Sequence, residues 1–111
     1  MNIVTQIGLA LVKVPNYILI EGHTDNLPIH TAKFPSNWEL SALRATAVMH
    51  VLQENTGISP ERLSVVGYGQ YRPLVPNINA ANQARNRRVD LVILKRKYDT
   101  FEPSGAEPLT P

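Results

Sequence analysis

Cysteine is absent from this chain of 111 residues. That excludes disulfides, thiolate catalysis and thiol-ligated metal, and fits an oxidising or a reducing compartment equally well. Aromatic residues make up only 6%, too few to interleave with basic side chains as single-strand nucleic-acid platforms do. No charge of one sign dominates, since the formal net charge is +2. No apolar run approaches the ~18–20 residues that cross a bilayer. The opening Met1-Asn2-Ile3-Val4-Thr5-Gln6-Ile7 lacks the basic region of a signal peptide. The chain therefore reads as cytoplasmic or as a piece of something longer. What is present, 43% hydrophobic and 18% charged residues, suits one small globular domain without repeats or an internal linker.

The organising stretch is Phe34-Pro35-Ser36-Asn37-Trp38-Glu39-Leu40-Ser41-Ala42-Leu43-Arg44-Ala45-Thr46. Ser36 with Glu39 three residues on is a capping box, each side chain accepting from an orphan backbone N–H at a helix start. The helix is expected to reach about Asn55, where Gly57 supplies a stop. Leu40, Leu43, Ala47, Val48, Val51 and Leu52 have the spacing of one buried face. Stepping about 100° per residue puts Arg44 inside that stripe, with Asn37 at the same azimuth. A guanidinium among aliphatic side chains is costly unless paired. Arg44 therefore snorkels at a rim, joins a structural ion pair, or meets a ligand.

Residues 2–13 have helical apolar spacing and end before Pro15. Tyr17 to Glu21 is a short strand apolar on both faces, feeding the loop that begins Gly22-His23-Thr24-Asp25. After the central helix come a Ser59-Pro60-Glu61-Arg62 turn, a strand Leu63–Val66 and an exit through Gly67-Tyr68-Gly69. Residues 70–79 are loop, Ala80 to about Arg87 a short polar helix, and Val89–Leu94 a third strand. From Asp99 the composition predicts a disordered tail. The order α-β-α-β-α-β favours a sheet with helices packed on it.

Several chemical constellations are weak. His23-x-Asp25 with His30 on a loop is the only metal-like spacing, and HxD pairs are common by chance. Gly67-Tyr68-Gly69 lacks the third glycine of a nucleotide fingerprint and reads as a strand exit needing positive φ or close backbone approach. No serine sits in a G-x-S-x-G elbow. Arg85-Asn86-Arg87-Arg88 is the strongest basic run. It is a solvated face, a nucleic-acid patch, or one wall of a pocket for a small anion.

Taken together, Glu21-Gly22-His23-Thr24-Asp25, Asn37-x-x-Leu40-Ser41-x-x-Arg44-Ala45, Arg62-Leu63-x-x-x-Gly67-Tyr68-Gly69, Pro73-x-x-Pro76-Asn77 and Asn86-Arg87-Arg88-Val89 stand in order along the chain. This set resembles the OmpA-like peptidoglycan-binding domain over about residues 16–96. Within that family, Asn26-Leu27-Pro28-Ile29 and the run Phe34–Ser41 are similar to the stator subunits of the flagellar motor.

The resemblance implies an α+β fold, a mixed sheet with helices packed on it, spanning residues 1–98 before a tail at 99–111. It implies a non-enzymatic, cofactor-free domain that grips the bacterial cell wall in the periplasm. Peptidoglycan would be bound by Asp25 with Thr24 beside it, and by Asn37, Arg44 and Arg87. Asp25 would receive an ammonium and Arg44 a carboxylate, as suits a zwitterionic stem-peptide residue such as diaminopimelate. In the stator subunits the domain is tethered to the inner membrane beside an ion-channel partner. Two departures stand out: Gln83 replaces an arginine common in the family, and the chain begins within the first helix, without the family's first strand or the stators' membrane helix. The domain is thus expected to anchor without conducting ions, and to pair with a second copy through an exposed sheet edge. Two other classes stay open: a nucleic-acid module using Arg85–Arg88, and a wall hydrolase around His23 and Asp25.

Overall fold

Ser36 and Gly57 punctuate the long helix as their chemistry requires. Ser36 is extended, with φ −154° and ψ 175°, and its hydroxyl accepts from the Trp38 N–H at 3.2 Å. Gly57 takes the left-handed conformation at φ 78° and closes the helix. The capping box differs in detail from expectation, because the Glu39 carboxylate also accepts a hydrogen bond from the Ser36 hydroxyl.

A computed structural model describes residues 3–94. The elements are α1 (Ile3–Leu11), β1 (Tyr17–His23), α2 (Asn37–Thr56), a 3₁₀ turn (Pro60–Arg62), β2 (Leu63–Gly67), α3 (Ala80–Asn86) and β3 (Arg88–Leu94). The α+β architecture follows the sequence reading, with β1 extended two residues to His23. The tail at 99–111 and the domain limit at 98 lie outside the described residues, as do Lys95, Arg96 and Lys97.

The sheet has the order β2-β1-β3. β1 pairs in parallel with β2, from Ile18 opposite Leu63 to Gly22 opposite Gly67. It pairs antiparallel with β3, from Tyr17 opposite Leu94 to His23 opposite Arg88. Side chains alternate across a strand, so Ile18 and Ile20 share a face. With Ala45, Leu52 and Ile58 they form the buried core, edged by Val4, Leu11, Val48, Met49, Leu63, Val65, Val89 and Leu91. Full burial of each large aliphatic side chain is worth about 1.5–3 kcal/mol.

The face α2 buries is not the aliphatic stripe. Asn37, Ser41, Ala45, Leu52 and Thr56 are buried, whereas Leu43 is 45% exposed and Ala47 is exposed. The helix is thus turned by about one residue, or ~100°, from the hydropathy reading. The cause lies in two glycines on neighbouring strands. A β-carbon on Gly22 would lie 1.9 Å from the Ser41 carbonyl oxygen, and one on Gly67 would lie 2.6 Å from the Ala42 nitrogen. Because Gly22 and Gly67 are paired in register, they make a floor without side chains on which the helix backbone rests. Only small residues fit that contact, so Ser41 and Ala45 face inward and Leu43 is left outside.

Arg62, outside the candidate site, fastens α1 to the body. Its Nε donates to the Asn16 carbonyl at 2.8 Å and its Nη2 to the Leu11 carbonyl at 3.0 Å. These are carbonyls at and beyond the helix end, which have no intrahelical partner. Beside α1, the free edge of β3 borders a mostly apolar groove of about 590 Å³ lined by Ile3, Val4, Ile7, Leu11, Val48, Val89, Leu91 and Ile93, with Asp90 the one charged residue in it. Among the described residues, no further strand pairs with β3 on that side.

Candidate functional site

β1 and β2 end together at Gly22 and Gly67, and the segments leaving them are tied at once. The Tyr68 N–H donates to the Gly22 carbonyl at 3.0 Å, and the Thr24 N–H to the Gly69 carbonyl at 2.9 Å. The Gly69 N–H in turn donates to Ser41 Oγ on α2 at 2.9 Å. Both readings of Gly67-Tyr68-Gly69 apply: Gly67 gives close approach, and Gly69 has φ 61°.

On this frame Asp25 is presented at the strand end, 7% exposed. Its Oδ1 accepts from the Leu27 N–H at 3.0 Å, and its Oδ2 accepts from Arg87 Nη1 at 2.7 Å. A carboxylate offers about four lone-pair positions, so each oxygen retains acceptor capacity. Thr24 is buried and gives its hydroxyl to the Asp25 carbonyl at 2.9 Å. It shapes the backbone that carries Asp25. Asn37, at the first position of α2 and 7% exposed, donates from Nδ2 to the Leu27 carbonyl and to Gln70 Oε1, both at 3.1 Å. It thereby joins the loop after β1 to the loop after β2.

Arg87 is delivered by α3 and the buried Asn86. Asn86 is 0% exposed and clamps the preceding loop. Its Oδ1 accepts from the Leu74 and Val75 N–H groups at 2.8 and 3.1 Å, and its Nδ2 donates to the Val75 carbonyl and Asn77 Oδ1 at 2.9 and 2.7 Å. Every donor and acceptor of that amide is satisfied, which fixes the chain just before Arg87.

Arg44 takes the rim position, one of the three readings open to it in the sequence. It is neither buried in an aliphatic stripe nor paired with Asp25, whose ion-pair partner is Arg87. The rotation of α2 leaves Arg44 half-buried at the margin of the packed face. There it lines an open pocket of about 490 Å³ with Ala47, Val48, Arg87, Arg88 and Val89. No hydrogen bond or ion pair to Arg44 exists among the described residues. The structure thus brings Asp25, Thr24, Asn37 and Arg87 into one bonded group and leaves Arg44 outside it, in a pocket that Arg87 also lines.

The three groups with metal-like spacing go separate ways: Asp25 to Arg87, the exposed His30 to the Pro35 carbonyl at 3.0 Å, and His23 into the sheet. His23 Nε2 lies 3.4 Å from Glu21 Oε1 and 3.6 Å from Asp90 Oδ2, and its ring stacks on Tyr68 at 5.3 Å. Glu21 and Asp90 are direct cross-strand partners, a repulsive arrangement unless neutralised. Arg88 Nε, at 3.0 Å from Asp90 Oδ2, supplies the cation there. Ligand atoms of Glu21, His23 and Asp90 lie within 4.8 Å of one another, and Arg88 Nε shares the Asp90 carboxylate.

Sequence reasoning missed Gln70, the partner of Asn37, and the part Asn86 plays in holding residues 74–77. An asparagine at a helix end followed by two arginines was visible, but only the fold reveals which backbone groups it satisfies. Gln83, the departure from the family pattern, donates to Asn26 Oδ1 at 3.0 Å and so ties α3 to the loop after β1.

With this geometry in place, comparison with known proteins gives a consistent result. The sequence profile of the OmpA family matches residues 1–87. Motility protein B of Bacillus subtilis is 43% identical over 89 residues, covering 80% of this chain and 34% of that protein. The periplasmic domain of Helicobacter pylori MotB superposes with a TM-score of 0.76 at 34% identity, covering 86% of this chain and 62% of that structure. The cell wall anchor of the T6SS from Pseudomonas aeruginosa gives a TM-score of 0.74 at 40% identity, covering 82% of this chain and 63% of that structure. The chain spans about a third of the length of the curated motility proteins it matches.

Proposed function

The chain belongs to the OmpA family, and from that premise we propose that it binds bacterial cell-wall peptidoglycan non-covalently, as a periplasmic wall anchor rather than an enzyme. One observation carries this reading: Arg44 and Arg87 line the same open pocket, and Arg44 has no anionic partner among the described residues. Three arginines, Arg44, Arg87 and Arg88, line that cavity, and Arg44 is the one of them without a carboxylate partner among the described residues; its planar fork matches a carboxylate. Asp25, held against Arg87, supplies the opposite pole for an ammonium. A zwitterionic stem-peptide residue such as diaminopimelate satisfies Arg44 and Asp25 together, with Asn37, Arg87 and Thr24 holding the loops in place.

The MotB relatives favour a flagellar-motor stator as the parent assembly, with a MotA-like channel partner in the inner membrane. No helix among the described residues is long and apolar enough to cross a membrane; in this reading the described part of the chain supplies the wall-binding end of that assembly. The likeness to a T6SS wall anchor supports a second reading, the same wall-binding chemistry serving another envelope machine. A nucleic-acid role for Arg85–Arg88 is disfavoured because Arg87 and Arg88 are each engaged by a carboxylate. Two copies are expected to pair through the free β3 edge, where an isologous contact lets Ile3 and Ile7 of each α1 fill the other's groove.

Co-sedimentation with purified sacculi tests the wall-binding reading. The protein should pellet with the wall and be released by free diaminopimelate. A protein that stays in the supernatant at every concentration overturns it.

A further inference from the structure

A second recognition surface adjoins the clamp. Trp38 and Tyr71 stack on each other with ring centroids 4.9 Å apart and planes 26° from parallel. Neither ring is hidden: Trp38 is 51% and Tyr71 60% exposed. An exposed aromatic pair forgoes the burial that would repay its hydrophobic surface.

This pair is built into the site. Each ring is the chain neighbour of a clamp residue, Trp38 following Asn37 and Tyr71 following Gln70, and those two side chains are bonded at 3.1 Å. Gly69 fits beneath: a β-carbon there would lie 3.5 Å from both the Trp38 and Tyr71 rings, and its φ of 61° disfavours any side chain. Beside it the Arg72 guanidinium rests over the Tyr68 ring at 4.6 Å, so that charge is turned to the neighbouring ring. The result is an aromatic stack whose outer ring faces are open to solvent, anchored through Gly69 to Ser41 and Thr24.

We propose that Trp38 and Tyr71 form a stacking platform for a sugar ring of the glycan strand, next to the stem-peptide clamp. A pyranose presents a face of axial C–H bonds carrying partial positive charge, which complements the negative face of an aromatic ring. The hydroxyls at its rim are suited to amide partners, and Gln70 lies at the edge of the platform. This inference rests on the wall-binding reading for the identity of its ligand and adds the sugar as a second point of contact.

Trp38 is the only tryptophan of the chain, so its emission reports the platform directly. The wild-type protein is titrated with peptide-free glycan strands, and separately with free diaminopimelate and with sacculi. Glycan strands alone should shift Trp38 emission saturably. Tyr71→Ala should weaken their binding at least about fivefold while leaving the affinity for diaminopimelate unchanged. Trp38→Ala should weaken retention on sacculi by a similar factor with an unchanged far-UV spectrum. If strands leave the emission of the wild type unaltered, the platform is overturned, and retention on sacculi released by diaminopimelate still upholds the clamp. If strands shift the emission while diaminopimelate does not bind, the platform stands and the peptide clamp fails. The wild-type titration decides the matter whether or not either variant folds.

Discussion

Arg87 reaches across 62 residues of sequence to place its Nη1 2.7 Å from Asp25 Oδ2. The pair joins the end of the first strand to the residue just before the third. Asp25 is nearly buried while the Arg87 side chain is 44% exposed, so one partner is fixed and the other remains open to solvent. Removing Arg87 leaves that buried carboxylate with the Leu27 N–H as its remaining partner among the described residues, and a buried group that loses a partner costs about 1–3 kcal/mol, more when it is charged. Arg87→Ala is therefore expected to lower the melting temperature by several degrees and to reduce retention on sacculi per folded molecule sharply. A large loss of stability with undiminished wall binding per folded molecule would make the pair structural.

Arg44 should behave differently from an ordinary half-buried arginine. It has no partner among the described residues and lines an open pocket with Arg87, so its removal breaks no ion pair there. Arg44→Ala is expected to be close to neutral in urea melts. Losing one charge-assisted hydrogen bond of about 1.5–3 kcal/mol should weaken sacculus binding about 10- to 150-fold.

The glycine floor gives a contrast in stability. Gly22→Ala puts a methyl 1.9 Å from the Ser41 carbonyl oxygen, a backbone clash that only displacement of α2 relieves. The expected cost is about 3 kcal/mol or more, or failure to fold. Gly57→Ala meets no atom within 4 Å and pays only for its φ of 78°, about 1–2 kcal/mol. Equal urea midpoints for the two variants would show that α2 does not rest on the strand as described.

Acid should loosen the start of α2. The Ser36 hydroxyl, and then backbone donors, hold the Glu39 carboxyl below its usual 4.5. A depressed folded value means the stabilisation is complete above 4.5 and fades as pH falls through the lowered value. Wild type is therefore expected to exceed Glu39→Gln in stability at neutral pH, and the gap should close in acid. Urea midpoints of both proteins across that range check it, and a gap independent of pH counts against an ionised cap.

The free edge of β3 makes a prediction about assembly. If two copies pair there, a charge set into the groove, as in Ile7→Asp, should shift the protein toward monomer without unfolding it. Light scattering across a wide concentration range reads the outcome. A wild-type protein that is monomeric throughout leaves the edge without its second copy.

What the sequence disclosed was local or carried by a motif. The Ser36 cap and Gly57 stop concern neighbouring residues, and both were legible. So was the α-β-α-β-α-β order, because strand and helix periodicities are local too. The buried face of α2 was not, since hydropathy ranks Leu43 above Ser41. The deciding fact is that Gly22 and Gly67, 45 positions apart in the chain, meet side by side. The resemblance pointed to Asp25, Asn37, Arg44 and Arg87 as a set without showing which side chain holds which. Asp25 with Arg87, and Asn37 with Gln70, depend on where two loops converge, and no spacing encodes that.

The position of β1 has a mechanical consequence. α1 lies before it, Asp25 follows it, and it is the middle strand, bonded on one side to β2 and on the other to β3. In the wall-anchor role proposed above, tension between α1 and a ligand at Asp25 and Arg87 would run lengthwise down β1. A central strand loaded along its axis must shear both ladders at once, whereas an edge strand peeled sideways gives up its bonds one by one. Arg62 braces the entry point, because its guanidinium grips the carbonyls at the end of α1 from the foot of β2. In that role traction would fall on the most heavily bonded strand of the sheet.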